Sequence, residues 1–244
     1  MGIRIRVECG YFHVKRHTDN FICSKIYTIF VGSNKVNTTL NIGQRDKIKF
    51  LLSDIRIKIM TTEQQFDKAI SLCRNVFVKK LSDYGAAWRI MRQQSVTDQI
   101  FIKASRIRNI EQGNLAQIDE DIPSELIGVV NYSVIGLIQL HLGYADTVDI
   151  TESEAIVLYD RFVAEAKQLM TAKNHDYNEA WRMMRVGSYT DLILQKINRT
   201  KTIEDNNGHT LISEGIDANY YDMLNYAVFY IIKNMEAQDD YDNR

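Results

Sequence analysis

Apolar residues recur every three or four positions through most of the chain after residue 61, which is the spacing of helices with one buried face. The first stripe ends near Gly85 and consists of Phe66, Ile70, Cys73, Phe77 and Leu81. A later stripe consists of Ile156, Tyr159, Phe162, Val163, Ala166, Leu169 and Met170. The pattern predicts an all-α fold.

Local signals mark where these helices begin and end. Residues 95–98, 151–154 and 188–191 each place Ser or Thr three residues before an acid, so capping boxes and helix starts are expected there. Glycine favours the position just after a helix, so the middle helices are expected to end at Gly113 and near 207–208.

The most apolar segment, 126–140, lies in a helix that is expected to open at Pro123–Ser124 and to stop at Gly143. The segment is too short to span a membrane. It also carries Asn131 and Gln139, which favours a buried core helix.

A polar pattern occurs twice in the chain. Residues 80–92 recur as 173–185 at an offset of 93, which becomes 94 after one inserted residue. Because a fold tolerates exchange among apolar residues, retention of the same polar side chains indicates a specific role for them. We therefore divide the chain into repeat one (60–145), repeat two (150–237) and an acidic tail (238–244). The two tandem helical repeats are expected to pack as a pseudosymmetric bundle.

Residues 1–59 belong to neither repeat and are rich in β-branched and aromatic residues, as in 26–31. If they fold, strands are expected. Met60 has the features of a natural start, so this segment is interpreted either as a small β appendage or as an upstream extension outside the native protein.

The distribution of charge and the positions of the cysteines exclude some classes of function. Residues 1–59 contain 11 Lys or Arg against 4 Asp or Glu, which leaves 19 against 27 for residues 60–244. The acidic repeats argue against broad neutralisation of duplex DNA phosphates. The three cysteines show neither disulfide nor zinc spacing, and no apolar leader or membrane anchor is evident. A cytoplasmic protein is expected.

The middle helix of each repeat carries charges on a side that should face the core. A helical projection of repeat one places three charged residues on the side of Ile110: Asp98, Lys103 and Arg106. The equivalent residues of repeat two fall on the same side of their helix: Asp191, Lys196 and Arg199. One interpretation is a salt-bridged surface. The other is a basic wall that holds phosphate, with the acid orienting the bases or capping its helix.

The last helix of repeat two is expected over about 217–236 and gathers carboxylates on one face. Glu214, Asp217 and Asp222 repel each other unless a cation neutralises them, so we predict a Mg²⁺ site; an acidic helix start is the alternative. Repeat one has Gly128 in place of Asp222, and its site is expected to lack ligands.

The Asp-Tyr-x-x-Ala-Trp turn completes the set of repeated elements. Tyr177 and Trp181 could stack a nucleobase, although a buried Trp that pins two helices explains the motif equally well. No Gly-rich phosphate loop and no Ser-His-Asp order occurs in the chain.

The tandem Lys-x-x-Asp-Tyr-x-x-Ala-Trp-Arg, Ser-x-Thr-Asp-x-Ile-x-x-Lys-x-x-Arg and Asn-Tyr elements resemble the nucleotide-modification-associated domain family, the first family of that name. It is a bacterial and phage family and was formerly a domain of unknown function. The resemblance covers roughly residues 60–235. It implies a helical domain associated with nucleotide or base modification.

A looser similarity is to the all-α nucleoside triphosphate pyrophosphohydrolases, which bind Mg²⁺ through paired acidic helices. Asp176-x-x-Glu179 and Glu214-x-x-Asp217 could stand for those pairs. The first motif begins with Asp and lies in a turn, and Ala86 replaces Glu179 in repeat one, which is a departure from that pattern.

Together these patterns predict a nucleotide-binding helical protein. The residues assigned to the nucleotide are Lys196, Arg199, Arg182, Trp181, Tyr177, Asp191, Lys103, Arg106 and Asn225. In an Mg²⁺-dependent pyrophosphohydrolase Glu179 and Asp176 would be catalytic, with Glu214, Asp217 and Asp222 on the metal. The alternatives are a non-catalytic module that partners a nucleotide- or DNA-modifying enzyme, and a purely structural bundle. The repeats are expected to pair within one chain or across a homodimer.

Overall fold

A computed structural model describes residues 6–11, 25–31, 34–40, 60–113, 121–212 and 214–242. The chain divides into two units, Met1–Thr61 and Thr62–Arg244. In the first unit β1 (Arg6–Tyr11), β2 (Lys25–Val31) and β3 (Asn34–Leu40) form an antiparallel sheet in the order β1-β2-β3. Arg6 pairs with Phe30, and Val31 pairs with Asn34. The expectation of strands in this segment is confirmed.

The second unit is helical, which confirms the predicted class. Each repeat contains a long helix, a short 3₁₀ helix and two further helices. The helices of repeat one are α1 (Thr62–Tyr84), the 3₁₀ helix Ala87–Ile90, α2 (Gln93–Glu111) and α3 (Ile122–Leu142). Those of repeat two are α4 (Glu152–Tyr177), the 3₁₀ helix Ala180–Met183, α5 (Val186–Asp205) and α6 (Ile216–Asp242).

Side-chain caps fix the start of two helices. The Asp121 side chain accepts a hydrogen bond from the Ser124 amide at the start of α3, and Thr151 and Glu154 form the predicted capping box of α4. The stop at Gly143 is confirmed as well.

The predicted capping boxes at Ser95 and Ser188 are wrong. Helices α2 and α5 begin two residues earlier, after Arg92 and Arg185, and neither start has a side-chain cap. In each repeat the 3₁₀ helix leads into the next helix through two residues, so the packing of the aromatic turn sets the helix start and the serine lies inside the first turn.

Helix α6 is longer than predicted. It was expected to end near Glu236 but continues to Asp242, so residues 238–242 of the predicted acidic tail are helical. The ends of α2 and α5 agree with the prediction, since Gly113 and Gly208 follow them with φ of 81°.

Equivalent helices of the two repeats pack against each other, as expected for a pseudosymmetric bundle. Helix α3 contacts α6, α2 contacts α5, and α1 contacts α4, while α1 also contacts α6 as α4 contacts α3. Helices α3 and α6 approach each other closely, since a Cβ at Gly136 would stand 2.6 Å from the Tyr220 ring. A repeat paired in this way buries apolar faces that it cannot cover by itself.

The core lies along α3 and α6. Helix α3 is long and apolar enough to cross a membrane by length and composition, but 67% of that segment is buried among the other helices. The predicted α1 stripe is buried throughout, as are its counterparts Tyr159, Phe162, Ala166 and Met170 on α4. The apolar periodicity is therefore explained by packing within the bundle.

Candidate functional site

Several repeated polar residues join the two repeats to each other. The Thr97 hydroxyl donates to Glu204 over 2.6 Å, and the Thr190 hydroxyl donates to Glu111 over 2.9 Å. Thr97 and Thr190 are equivalent, as are Glu111 and Glu204, so the two bonds are related by the pseudo-twofold axis. These residues recur because each is needed once on either side of the interface.

The repeated acids of the middle helices also form bonds between repeats. Asp98 pairs with Lys201 at 2.7 Å, and its equivalent Asp191 pairs with Arg108 at 2.5 Å. Both acids are exposed and neither caps its helix, so the predicted capping role is wrong. Asp191, which was assigned to the nucleotide, has an interface partner instead.

The repeated arginine after each Trp holds the end of a helix. Arg89 is almost fully buried and donates to both oxygens of Asp149, at 2.7 and 3.1 Å, and to the Gly143 carbonyl at 2.6 Å. It also donates to Gln139. All of these partners lie at the end of α3 or after it, so Arg89 fixes this end to the aromatic turn.

Arg182, the equivalent in repeat two, was predicted to bind phosphate. Its guanidinium instead donates to Glu179 at 2.9 Å, Glu236 at 2.7 Å, Thr62 at 2.7 Å and Gln65 at 2.6 Å. A guanidinium has five N–H donors, so few remain for a ligand. Arg182 is therefore a structural connection between the turn, α1 and α6.

The two predicted catalytic acids do not share a site. Glu179 accepts hydrogen bonds from Thr62 and Arg182 within the structural network around that arginine. Asp176 is exposed, and its carboxylate lies 3.1 Å from the His175 ring nitrogen. Glu179 is therefore used in structural hydrogen bonds, whereas Asp176 faces solvent.

The asparagine of each Asn-Tyr element ties the last helix of its repeat to the first. Asn131 donates to the Cys73 carbonyl at 3.0 Å and accepts from the Tyr159 hydroxyl at 2.9 Å. Asn225 donates to the equivalent carbonyl, that of Ala166, at 3.2 Å. Asn225 was assigned to the nucleotide; its amide nitrogen is used in this bond, and its buried amide oxygen has no hydrogen-bond partner.

The inward direction predicted for the middle-helix cations of repeat one is confirmed. The Lys103 ammonium lies 3.1 Å from one oxygen of Glu125, and the Arg106 guanidinium lies 3.2 Å from the other. Glu125 is on α3 and only 1% exposed. The two cations compensate the charge of the buried Glu125 carboxylate.

Repeat two arranges the same cations around a different acid. Asp222 of α6 accepts from Lys173 at 2.7 Å through one oxygen and from Lys196 at 2.6 Å through the other. Both Asp222 and Lys196 are buried, while Arg199 lines an open groove together with Arg108 and Asp191. Lys196 therefore has an internal counter-ion where the sequence predicted a phosphate.

The three carboxylates predicted to hold Mg²⁺ do not converge. Glu214 and Asp217 are exposed at the start of α6, whereas Asp222 lies between two ammonium groups. Among the residues that the structure describes, no group of three or more His, Cys, Asp or Glu side chains is placed to hold a metal ion. Of the three, Asp222 is neutralised by lysine ammonium groups.

A cavity of about 550 Å³ lies in repeat one, where the sequence predicted the poorer site. Helices α1, α2 and α3 and the aromatic turn all contribute to its wall. The polar and aromatic residues that line it are Phe77, Lys80, Tyr84, Trp88, Gln99, Lys103, Ser124, Asn131 and Tyr132. Lys80, Tyr84, Trp88, Lys103, Asn131 and Tyr132 belong to the repeated motifs, so the cavity is built from the elements that the duplication marks.

Two differences between the repeats keep this space open. Gly128 and Ile135 line the cavity where repeat two has Asp222 and Phe229. In repeat two Asp222 occupies the space between the lysines, and the Phe229 ring stacks on Trp181 at 4.3 Å and 6°. The sequence shows that Gly128 of repeat one stands at the position of Asp222 in repeat two. We interpreted this difference as the loss of a metal ligand, whereas the structure shows that it leaves open space.

The cavity wall offers donors and aromatic faces. Trp88 is 8% exposed, and its indole N–H has no hydrogen-bond partner. Tyr84 is exposed at the edge, and burial, Tyr132 and Asp83 together raise the pKa of its phenol, which keeps the hydroxyl a donor at neutral pH. Lys80 has no ion-pair partner within the described part of the chain. In repeat two Tyr177 is exposed too, and the Trp181 indole N–H likewise has no hydrogen-bond partner. The difference is that the Phe229 ring stacks on Trp181.

A comparison with protein families finds two matches in this chain. The family described as nucleotide modification associated domain 1 matches residues 80–140 and again residues 173–233. Each match begins at the lysine before the aromatic turn and extends into the last helix of a repeat. No curated protein and no solved structure shows significant similarity to the chain.

Proposed function

The chain belongs to the nucleotide modification associated domain 1 family, and we propose that it binds a nucleotide or nucleoside phosphate in the cavity of repeat one. The observation that carries the proposal is the difference between the repeats. Repeat two fills the equivalent space with its own Asp222 and Phe229, whereas repeat one leaves its motif residues around an open cavity.

The size and wall of the cavity suit a nucleobase and a sugar. Its volume of about 550 Å³ lies within the range of small-molecule sites. Trp88, Tyr84 and Tyr132 supply aromatic surface on which a base can stack.

Binding is a better account of this cavity than hydrolysis. The described residues that line it include no carboxylate, and the nearby Glu125 is held by Lys103 and Arg106. Hydrolysis of a phosphoanhydride needs groups that activate water and neutralise charge on the leaving phosphate. We therefore favour a binding module that works beside a nucleotide- or DNA-modifying enzyme.

Titration calorimetry with a panel of nucleosides and nucleoside monophosphates tests the proposal. Tyr84→Ala is expected to weaken binding about tenfold, because loss of a stacking ring costs about 1–3 kcal/mol. Tyr177→Ala is the matched control, since it removes the equivalent exposed tyrosine of repeat two. Absence of binding across the panel, or an equal loss from Tyr177→Ala, would overturn the proposal.

An assay of pyrophosphate and phosphate release with Mg²⁺ separates binding from hydrolysis. The purified chain is expected to release neither product from the nucleoside triphosphates that it binds. Sustained release that Tyr84→Ala abolishes would instead support a hydrolase acting in the same cavity.

A further inference from the structure

Repeat two contains a carboxylate at the position where repeat one has open space. Asp222 receives one hydrogen bond from Lys173 and one ion pair from Lys196, through different oxygens. It is 6% exposed, so the two ammonium groups hold it in a largely dry position. The two lysine positions of a repeat can therefore bind one anionic group between them.

Repeat one keeps both lysines but not the carboxylate. Lys80 and Lys103 are the equivalents of Lys173 and Lys196, and Gly128 is the equivalent of Asp222. The stem of Lys103 lies against Gly128, 3.3 Å from the position that a Cβ would take there. All three residues line the cavity. Lys103 pairs instead with Glu125 of α3 at 3.1 Å. Within the described part of the chain, no carboxylate stands beside Lys80 where repeat two has Asp222.

We propose that the space beside Gly128 is a phosphate subsite in which Lys80 and Lys103 bind the single phosphate of a nucleoside monophosphate. This inference rests on the proposed function and adds the class of ligand to it. The phosphate takes the place of the Asp222 carboxylate, and the base lies against Tyr84 and Trp88.

The charges around the subsite favour one phosphate over three. The cationic side chains that line the cavity are Lys80 and Lys103, and Lys103 also pairs with Glu125 at 3.1 Å. A phosphomonoester carries about −1.5 to −2 charges at pH 7, which is of the size that two ammonium groups balance. A triphosphate brings more negative charge, and the described lining residues offer no carboxylate to hold a metal ion with it.

The inference is tested by comparing a nucleoside with its monophosphate in buffer that contains EDTA. In the unaltered chain the monophosphate is expected to bind roughly ten- to hundredfold more tightly than the nucleoside. This is the gain expected from charge-assisted hydrogen bonds to the phosphate. Lys80→Met is expected to remove most of this preference, measured as the ratio of the two affinities. Lys173→Met, the equivalent change in repeat two, is expected to retain the preference.

A second variant copies the arrangement of repeat two into repeat one. Gly128→Asp places a carboxylate beside Lys80 and Lys103, and the helix accepts Asp at the equivalent position 222. This variant is expected to bind the monophosphate no better than the nucleoside. Lys80→Met keeps the test decisive if Gly128→Asp does not fold, because Lys80 is exposed on α1.

The outcomes separate the inference from the proposed function. Equal affinity of the unaltered chain for the nucleoside and its monophosphate overturns the phosphate subsite but leaves nucleotide binding in place. Tighter binding of a triphosphate that depends on Mg²⁺ also overturns it. If no member of the panel binds, the proposed function itself fails.

Discussion

The hydroxyl of Thr97 in α2 donates to the carboxylate of Glu204 in α5 over 2.6 Å, which joins residues from different repeats. The same hydroxyl lies 2.6 Å from the Tyr220 hydroxyl of α6. Burial raises the pKa of Glu204, and the hydrogen bond from Thr97 opposes that shift. A polar residue that recurs in both repeats thus stabilises the interface between them.

Replacement of Thr97 by Val is expected to destabilise the protein by about 2 kcal/mol, because it removes a hydrogen bond to a charged group and leaves Glu204 without that donor. The free energy of unfolding in urea measures the change. Thr202→Val is the control, since Thr202 is exposed and bonds only within its own helix. Equal losses from both variants would contradict the interface role.

Asp222→Asn is expected to destabilise the protein by about 3 kcal/mol, because it leaves Lys196 buried without its counter-ion. Asp217→Asn, on the exposed face at the start of the same helix, is expected to change stability by less than about 0.5 kcal/mol. Denaturant unfolding of both variants provides the measurement. A larger loss of stability from Asp217→Asn would show that the ion pairs of Asp222 with Lys173 and Lys196 are not the main stabilising contacts of α6.

Addition of millimolar Mg²⁺ is expected to leave the unfolding temperature of the ligand-free chain unchanged. A metal bound by Glu214, Asp217 and Asp222 would stabilise the folded state by mass action, but these carboxylates do not converge. Thermal unfolding with Mg²⁺ or with EDTA measures this directly. A Mg²⁺-dependent increase that Asp217→Asn abolishes would restore the metal site predicted from the sequence.

Gly136→Ala is expected to destabilise the protein by about 1–3 kcal/mol, because its Cβ would overlap the Tyr220 ring at 2.6 Å. Gly187→Ala is the matched control, since its Cβ would meet only Glu111 at 3.9 Å. The control is expected to change the free energy of unfolding by less than about 0.5 kcal/mol. Similar losses at both positions would show that the close approach of α3 and α6 is not required.

Asp149→Asn is expected to destabilise the protein at neutral pH and to make no difference in acid. The Arg89 guanidinium lowers the pKa of Asp149 below its ordinary value of 3.8. A carboxyl with a lowered pKa contributes stability above its ordinary pKa, and that contribution is lost as pH falls through the lower, folded-state value. The difference in unfolding temperature between the unaltered chain and the variant is therefore expected to shrink as the pH falls below about 3.8 and to disappear below the lowered, folded-state pKa.

The control for this series is Asp146→Asn, which changes an exposed acid in the same loop. Its unfolding temperature is expected to follow that of the unaltered chain at every pH. A constant difference for Asp149→Asn down to the most acidic pH would mean that its effect does not arise from the charge.

The sequence by itself determined the helical class, the duplication and most helix boundaries. Apolar spacing reports which face of a helix is buried, and Gly113 and Gly143 mark helix ends through their backbone freedom. The inward direction of Lys103 and Lys196 also followed from their position beside apolar residues. Each of these properties depends on near neighbours in the chain.

Only the tertiary structure decided the partners of the repeated polar residues. Thr97 and Asp98 face the other repeat, and Arg182 connects three segments, because helix packing brings together residues far apart in the sequence. It also decided which repeat has the cavity. Asp222 fills the space beside the two lysines of repeat two, whereas Gly128 at the equivalent position leaves that space open in repeat one. The space becomes visible only when the packing of the helices is known.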